Sequence, residues 1–195
     1  MLRLSCFVLS TLLMRAPALA HTSIGDTTGF AHGFMHPVGG VDHVLVMVAV
    51  GLFAALLGGR ALWLVPASFV AMMAVGGAFG RAGVGIPFIE IGIGVSVVML
   101  GVAVALHLNM RAAAAMAFVG FFAIFHGHAH GAEMPDTGFD FGLGFVLATA
   151  LLHVAGIGLG LAIGRMNELH SRRVGQAAGG GVALAGVAIL THIIS

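Results

Sequence analysis

Six apolar stretches, at about 38–57, 62–80, 86–106, 112–128, 141–164 and 176–194, dominate this chain. Each approaches the roughly 20 residues that a helix needs to cross a bilayer. Inside hydrocarbon every backbone N–H and C=O must find its partner within the protein, so stretches of this kind become helices. Charged residues are 8% of the 195, against roughly 25% in ordinary soluble domains, and the mean hydropathy is +1.10. The expected fold is all-α, a polytopic membrane bundle of six transmembrane helices. All eight basic residues are arginines and the net charge is +1, which excludes a basic face for nucleic acid.

The first twenty residues read as a segment of another kind. Arg3 precedes an apolar run from Leu4 to Met14, and "APALA" ends in Ala18-Leu19-Ala20. That is the pattern of a secretory signal, with an apolar run too short to span a bilayer. The expected organisation is a cleaved signal peptide at 1–20 and one six-helix domain at 21–195. Cleavage makes His21 the new N-terminus, where α-amine and imidazole together can chelate a metal. Cys6, the single cysteine, lies in the signal. A metal site in the mature chain must then be built from imidazole, carboxylate, thioether or backbone.

Arginine placement sets the orientation. With the mature N-terminus outside, the inner loops hold Arg60, Arg111, Arg165, Arg172 and Arg173, while the outer side keeps Arg81 and the acidic stretch "GAEMPDTGFD". This obeys the positive-inside rule and implies a multi-pass protein whose mature N-terminus is exported. Gly156, Gly160 and Gly164 recur every four residues, a spacing that allows close helix approach in lipid.

In such a chain the informative residues are the polar ones within spans. Asp42 and His43 fall near the outer start of the first stretch, preceded by His36. Pro37 disfavours helical geometry at His36, so His36 is expected on an irregular segment capping the mouth. Met47, four residues after His43, can place its thioether beneath the imidazole. In "FHGHAHGAE", His126, His130 and Glu133 share one helical face and His128 points away. Glu90 opens the third stretch at the same end, or merely caps its helix. His153, one turn after Thr149, lies deepest in the fifth. His32 reads equally as a solvated residue, and His107, His170 and His192 as hydrogen-bonded packing residues. Imidazoles and carboxylates without thiolate suit nickel, zinc, cobalt or copper(II) in an open site. The candidate ligands are therefore His36, Asp42, His43, His126, His130, Glu133, His153, Glu90 and His21.

At "HPVGGVDHVLVM" the chain resembles the HupE/UreJ family of membrane proteins, through His36, Pro37, Gly40, Asp42 and His43. A second motif of that family is matched by Phe125, His126, Gly127, Ala129, His130, Gly131 and Glu133. The resemblance implies a nickel permease serving hydrogenase or urease maturation, acting as a facilitator. The expected function is thus entry of Ni²⁺ from periplasm to cytoplasm, with Co²⁺, Cu²⁺ or Zn²⁺ as competing cargo and no tightly bound cofactor. Partners are the metal ion, the lipid bilayer, a homo-oligomer as one arrangement, and nickel-enzyme maturation proteins indirectly. The chain is not expected to be an enzyme, and it carries no phosphate-binding G-x-x-x-x-G-K-[ST] loop. Two alternatives are an accessory protein that binds metal without transporting it and an intramembrane metal-dependent hydrolase.

Overall fold

A computed structural model describes residues 29–133 and 138–194. The described residues form seven helices: α1 (Phe30–Gly39), α2 (Val41–Leu57), α3 (Ala61–Arg81), α4 (Ile89–Ala105), α5 (Ala112–Ala132), α6 (Gly138–Gly164) and α7 (Glu168–Ile194). The signal peptide and His21 expected from the sequence lie outside the described residues.

Each of the six apolar stretches becomes a helix, but not each is long enough to cross. By length and composition α3, α5, α7 and Phe139–Gly164 of α6 qualify, and α1 with α2 forms a fifth candidate bent by 83°. The third stretch yields only the 17 residues of α4, about 25 Å at 1.5 Å per residue. Phe88, with its left-handed φ of 59°, precedes its first residue, and His107, at φ 50°, lies just beyond its last turn. These helices give the chain the character of a multi-pass membrane protein.

The centre of the bundle is α2, which touches every other described helix. After Asp42 and His43 in its first turn its sequence is apolar all round, and His43, Val46, Met47, Ala49, Val50, Leu52, Phe53 and Ala54 are all buried. A helix without a polar face has no solvent side to present, so it takes the interior.

Around it the helices pair closely: α3 with α5, α4 with α7, and α6 with both α1 and α2. Lipid tails are as apolar as leucine, so helices in a membrane associate through close packing and small residues bring their backbones together. A Cβ on Gly127 would collide with the Met73 carbonyl carbon at 2.7 Å, and one on Gly76 with Ile124. Gly51 of α2 likewise faces Gly156 of α6, and Gly160 faces Ala55. Gly164 has nothing within 4 Å of where its Cβ would be. The four-residue glycine spacing therefore marks a contact face at Gly156 and Gly160 and ends before Gly164, the last residue of α6.

Candidate metal site

Three backbone features aim side chains into one end of the bundle. The first is the break between α1 and α2. Gly40 is extended (φ −94°, ψ 119°), and the chain turns by 83° there. Contrary to the expectation of an irregular mouth, His36 is helical, with Pro37 inside the last turn of α1. Pro37 has no N–H to donate to the Gly33 carbonyl, so α1 loses that hydrogen bond just before it ends at Gly39. The bend rather than an irregular loop turns His36 inward. The second feature is that α5 stays helical through its glycines as far as Ala132, which keeps His126 and His130 one turn apart on one face. The third is α6, whose Phe141 and Phe145 are buried beside those rings.

The result is a cluster of imidazoles. The ring centroid of His36 lies 4.6 Å from that of His130, His130 lies 4.4 Å from His43, and His43 lies 5.1 Å from His126. Phe145 closes one side, with its centroid 4.4 Å from His130. Ligand atoms of His36, His130 and Glu133 lie within 4.8 Å of one another. Metal bonds to nitrogen or oxygen run about 2.0–2.2 Å, so small side-chain rotations bring all three onto one ion. His36 is partly buried, His130 buried and Glu133 exposed, so the group opens outward on one side.

Hydrogen bonding decides which nitrogens are available. The Asp42 carboxylate lies 2.9 Å from His43 Nδ1. An ionised carboxylate only accepts, so His43 donates from Nδ1 and keeps its lone pair on Nε2. That Nε2 faces Nε2 of His130. A carboxylate behind an imidazole whose far nitrogen carries the lone pair is the usual arrangement behind a metal-binding histidine. His126 is oriented in a different way. Ser96 Oγ lies 2.6 Å from the carbonyl of Ile93 and 2.8 Å from His126 Nε2. The single hydroxyl proton must go to the carbonyl, which has none to give. His126 therefore donates from Nε2, and its lone pair falls on Nδ1.

Nδ1 of His126, Nδ1 of His130 and both nitrogens of His153 are buried without a protein hydrogen-bond partner. An unmet buried polar atom costs about 1–3 kcal/mol. Native interiors leave few such atoms, and one role for those that remain is to bind something from outside the chain.

Of the expected ligands, the structure thus brings His36, Asp42, His43, His126, His130 and Glu133 together. His153 sits deeper, 1% exposed, with its ring 5.2 Å from Phe69. Glu90 is exposed in the first turn of α4 and is not in the group of converging ligand atoms. His128 turns away, as its position in the helix predicts, and its Nε2 lies 2.6 Å from the Val84 carbonyl. His32 is exposed, with its centroid 6.1 Å from that of His36. His170 bonds Asn167 locally at the start of α7.

Ser96 and Phe69 were not among the residues that sequence reasoning selects. Ser96 is the one hydroxyl in the apolar run of α4, and that isolation is the signal that could have marked it. Phe69 carries no such mark, because its role depends on which rings the fold sets around it. Beside the cluster an apolar cleft of about 320 Å³ runs between α3, α5 and α6, lined by Met73, Gly77, Arg81, His130, Phe141 and Phe145 among others.

A model of the HupE / UreJ protein family matches residues 9–189. The chain is 42% identical over 178 residues to Protein HupE of Rhizobium leguminosarum bv. viciae, covering 89% of this chain and 91% of that one. No solved structure matches. Both motif segments, with the histidines and carboxylates they bring to one end of the bundle, lie within the matched residues, and the chain belongs to the HupE / UreJ protein family.

Proposed function

We propose that this protein is a nickel permease that carries Ni²⁺ inward across the bacterial inner membrane. Membership of a family associated with nickel uptake for hydrogenase and urease supports the identity of the ion. The observation that carries the reading is the convergence of four imidazoles and two carboxylates at one end of an apolar bundle. Ionisable side chains in such a setting are costly and mark ion pathways.

In this reading the ion arrives on the outer side, where Glu133 is exposed and His36 and Asp42 are partly buried. His130, which neighbours both His36 and His43, passes it inward. Asp42 holds His43 in the ligating tautomer. The ion then leaves toward His153 and the cytoplasm. Several moderate ligands in series dehydrate the ion without trapping it. Glu90 and the mature N-terminal His21 act earlier, as collectors at the outer face. The six apolar stretches act as six spans, the bent α1–α2 pair and the short α4 being two of them, after a signal peptide has been removed.

The test is uptake of radiolabelled Ni²⁺ by the purified protein in liposomes, with and without a proton gradient. Saturable uptake that disappears in Asp42→Asn and His130→Ala supports the reading. Tight binding without uptake would assign the protein to metal storage or hand-over, and the permease reading would fail.

A further inference from the structure

The outer imidazoles do not end at His126. Its ring centroid lies 5.9 Å from Phe69, and Phe69 lies 5.2 Å from His153 in an edge-to-face arrangement. A continuous line of rings therefore runs from partly buried His36 through His130, His43 and His126 to Phe69 and His153. Phe69 is fully buried, and of these six rings it alone offers no ligand atom. It packs against both the His126 ring and the His153 ring.

At this depth α3 and α6 form two adjacent rungs. Phe69 faces His153 in one, and one turn away Met73 faces Thr149, whose hydroxyl lies 4.0 Å from the Met73 sulfur. Thr149, His153 and Met73 are all buried, at 0%, 1% and 3% exposure. Both nitrogens of His153 are without a protein partner. The seam thus gathers an imidazole with two unmet nitrogens, a thioether and a hydroxyl, and none of them is charged.

We propose that His153, with Met73 and Thr149 in the adjacent rung, is a second and inner binding position for a late first-row transition-metal ion, separate from the outer cluster. The proposal deepens the permease reading and rests on it. A mixed nitrogen and sulfur set suits nickel, cobalt or copper and not the hard ions magnesium or calcium, which take oxygen. Phe69 touches both rings and offers no ligand atom, so it cannot relay the ion between His126 and His153. The two positions are therefore discrete.

The test is equilibrium dialysis of the full chain in detergent against Ni²⁺, and separately against Mg²⁺. Wild type is expected to bind two Ni²⁺ per chain in two affinity classes and no Mg²⁺ at the inner one. His153→Leu is expected to lose one class and to keep the other within about twofold. Met73→Leu, an apolar exchange of similar volume that the core tolerates, is expected to weaken the same class about tenfold, the lower end for loss of a supporting group at a metal site. Two unchanged classes in His153→Leu would overturn the proposal. So would a wild type with a single class that only His43→Ala and His130→Ala remove, and in that case the permease reading stands. If His153→Leu loses both classes, Met73→Leu decides, and unchanged affinities there overturn the inner position. Two classes in a protein that moves no Ni²⁺ into liposomes would instead leave the inner position standing and remove the permease reading.

Discussion

The Asp42 carboxylate lies 2.9 Å from Nδ1 of His43, and the opposite nitrogen of that ring faces His130. One short contact thus settles the tautomer of the ring between the acidic residue and the rest of the cluster. In Asp42→Asn an amide replaces the carboxylate, and it can orient either end toward the imidazole. Nickel affinity of the outer cluster is expected to fall by about 10- to 100-fold, as for other partners of metal-binding histidines. The helical content should not change, because Asp42 is only partly buried. Dialysis and circular dichroism on the same sample check both halves.

Gly40 stands at the bend and leaves room for that pair. A Cβ there would lie 2.8 Å from His43 Nδ1 and 2.9 Å from the Asp42 carboxylate oxygen. Its φ of −94° is open to any residue, so backbone conformation is not the reason for glycine. Gly40→Ala is expected to displace the Asp42–His43 pair and weaken nickel binding at least tenfold, as loss of that partner does. The thermal midpoint should move little. A drop in midpoint with unchanged affinity would show that the glycine serves the bend alone.

Ser96 orients His126 from α4 by accepting its Nε2 proton while donating to Ile93. Ser96→Ala removes the acceptor and leaves the buried His126 Nε2–H unmet, a cost of about 1–3 kcal/mol. The tautomer that the serine enforced is then no longer favoured. The variant is expected to melt several degrees lower and to take up nickel more slowly. Ser96→Thr keeps the hydroxyl and should restore much of the uptake, which separates orientation from packing.

The contact face of α6 can be tested by two glycines of one spacing. In Gly156→Ala the new methyl would meet the Val48 carbonyl of α2, whereas in Gly164→Ala it meets nothing within 4 Å. Overpacking of this kind costs about 1–3 kcal/mol. Thermal unfolding in detergent should show Gly156→Ala clearly destabilised and Gly164→Ala unchanged or slightly more stable.

Much of this protein was legible in its residues alone. Apolar stretches of near-membrane length placed the helices, since a backbone without water must bond to itself. The i, i+4 spacing of His126 and His130 placed both on one face and His128 on the other, because helical period is local geometry. The two motif segments, His36 to His43 and Phe125 to Glu133, marked the end of the bundle where the polar groups gather.

What the sequence could not decide were relations between segments far apart in the chain. Proline after His36 argues locally for an irregular mouth, yet α1 stays helical and the 83° turn falls at Gly40. The exposure of Glu90, the end of the glycine face before Gly164, and the contact of Ser96 with His126 follow from which helices are neighbours. Packing between helices depends on complementary shapes of faces that no single helix specifies. Phe69 illustrates this most plainly. In sequence it is one of fourteen phenylalanines, and only the crossing of α3 against α5 and α6 sets its ring against both His126 and His153.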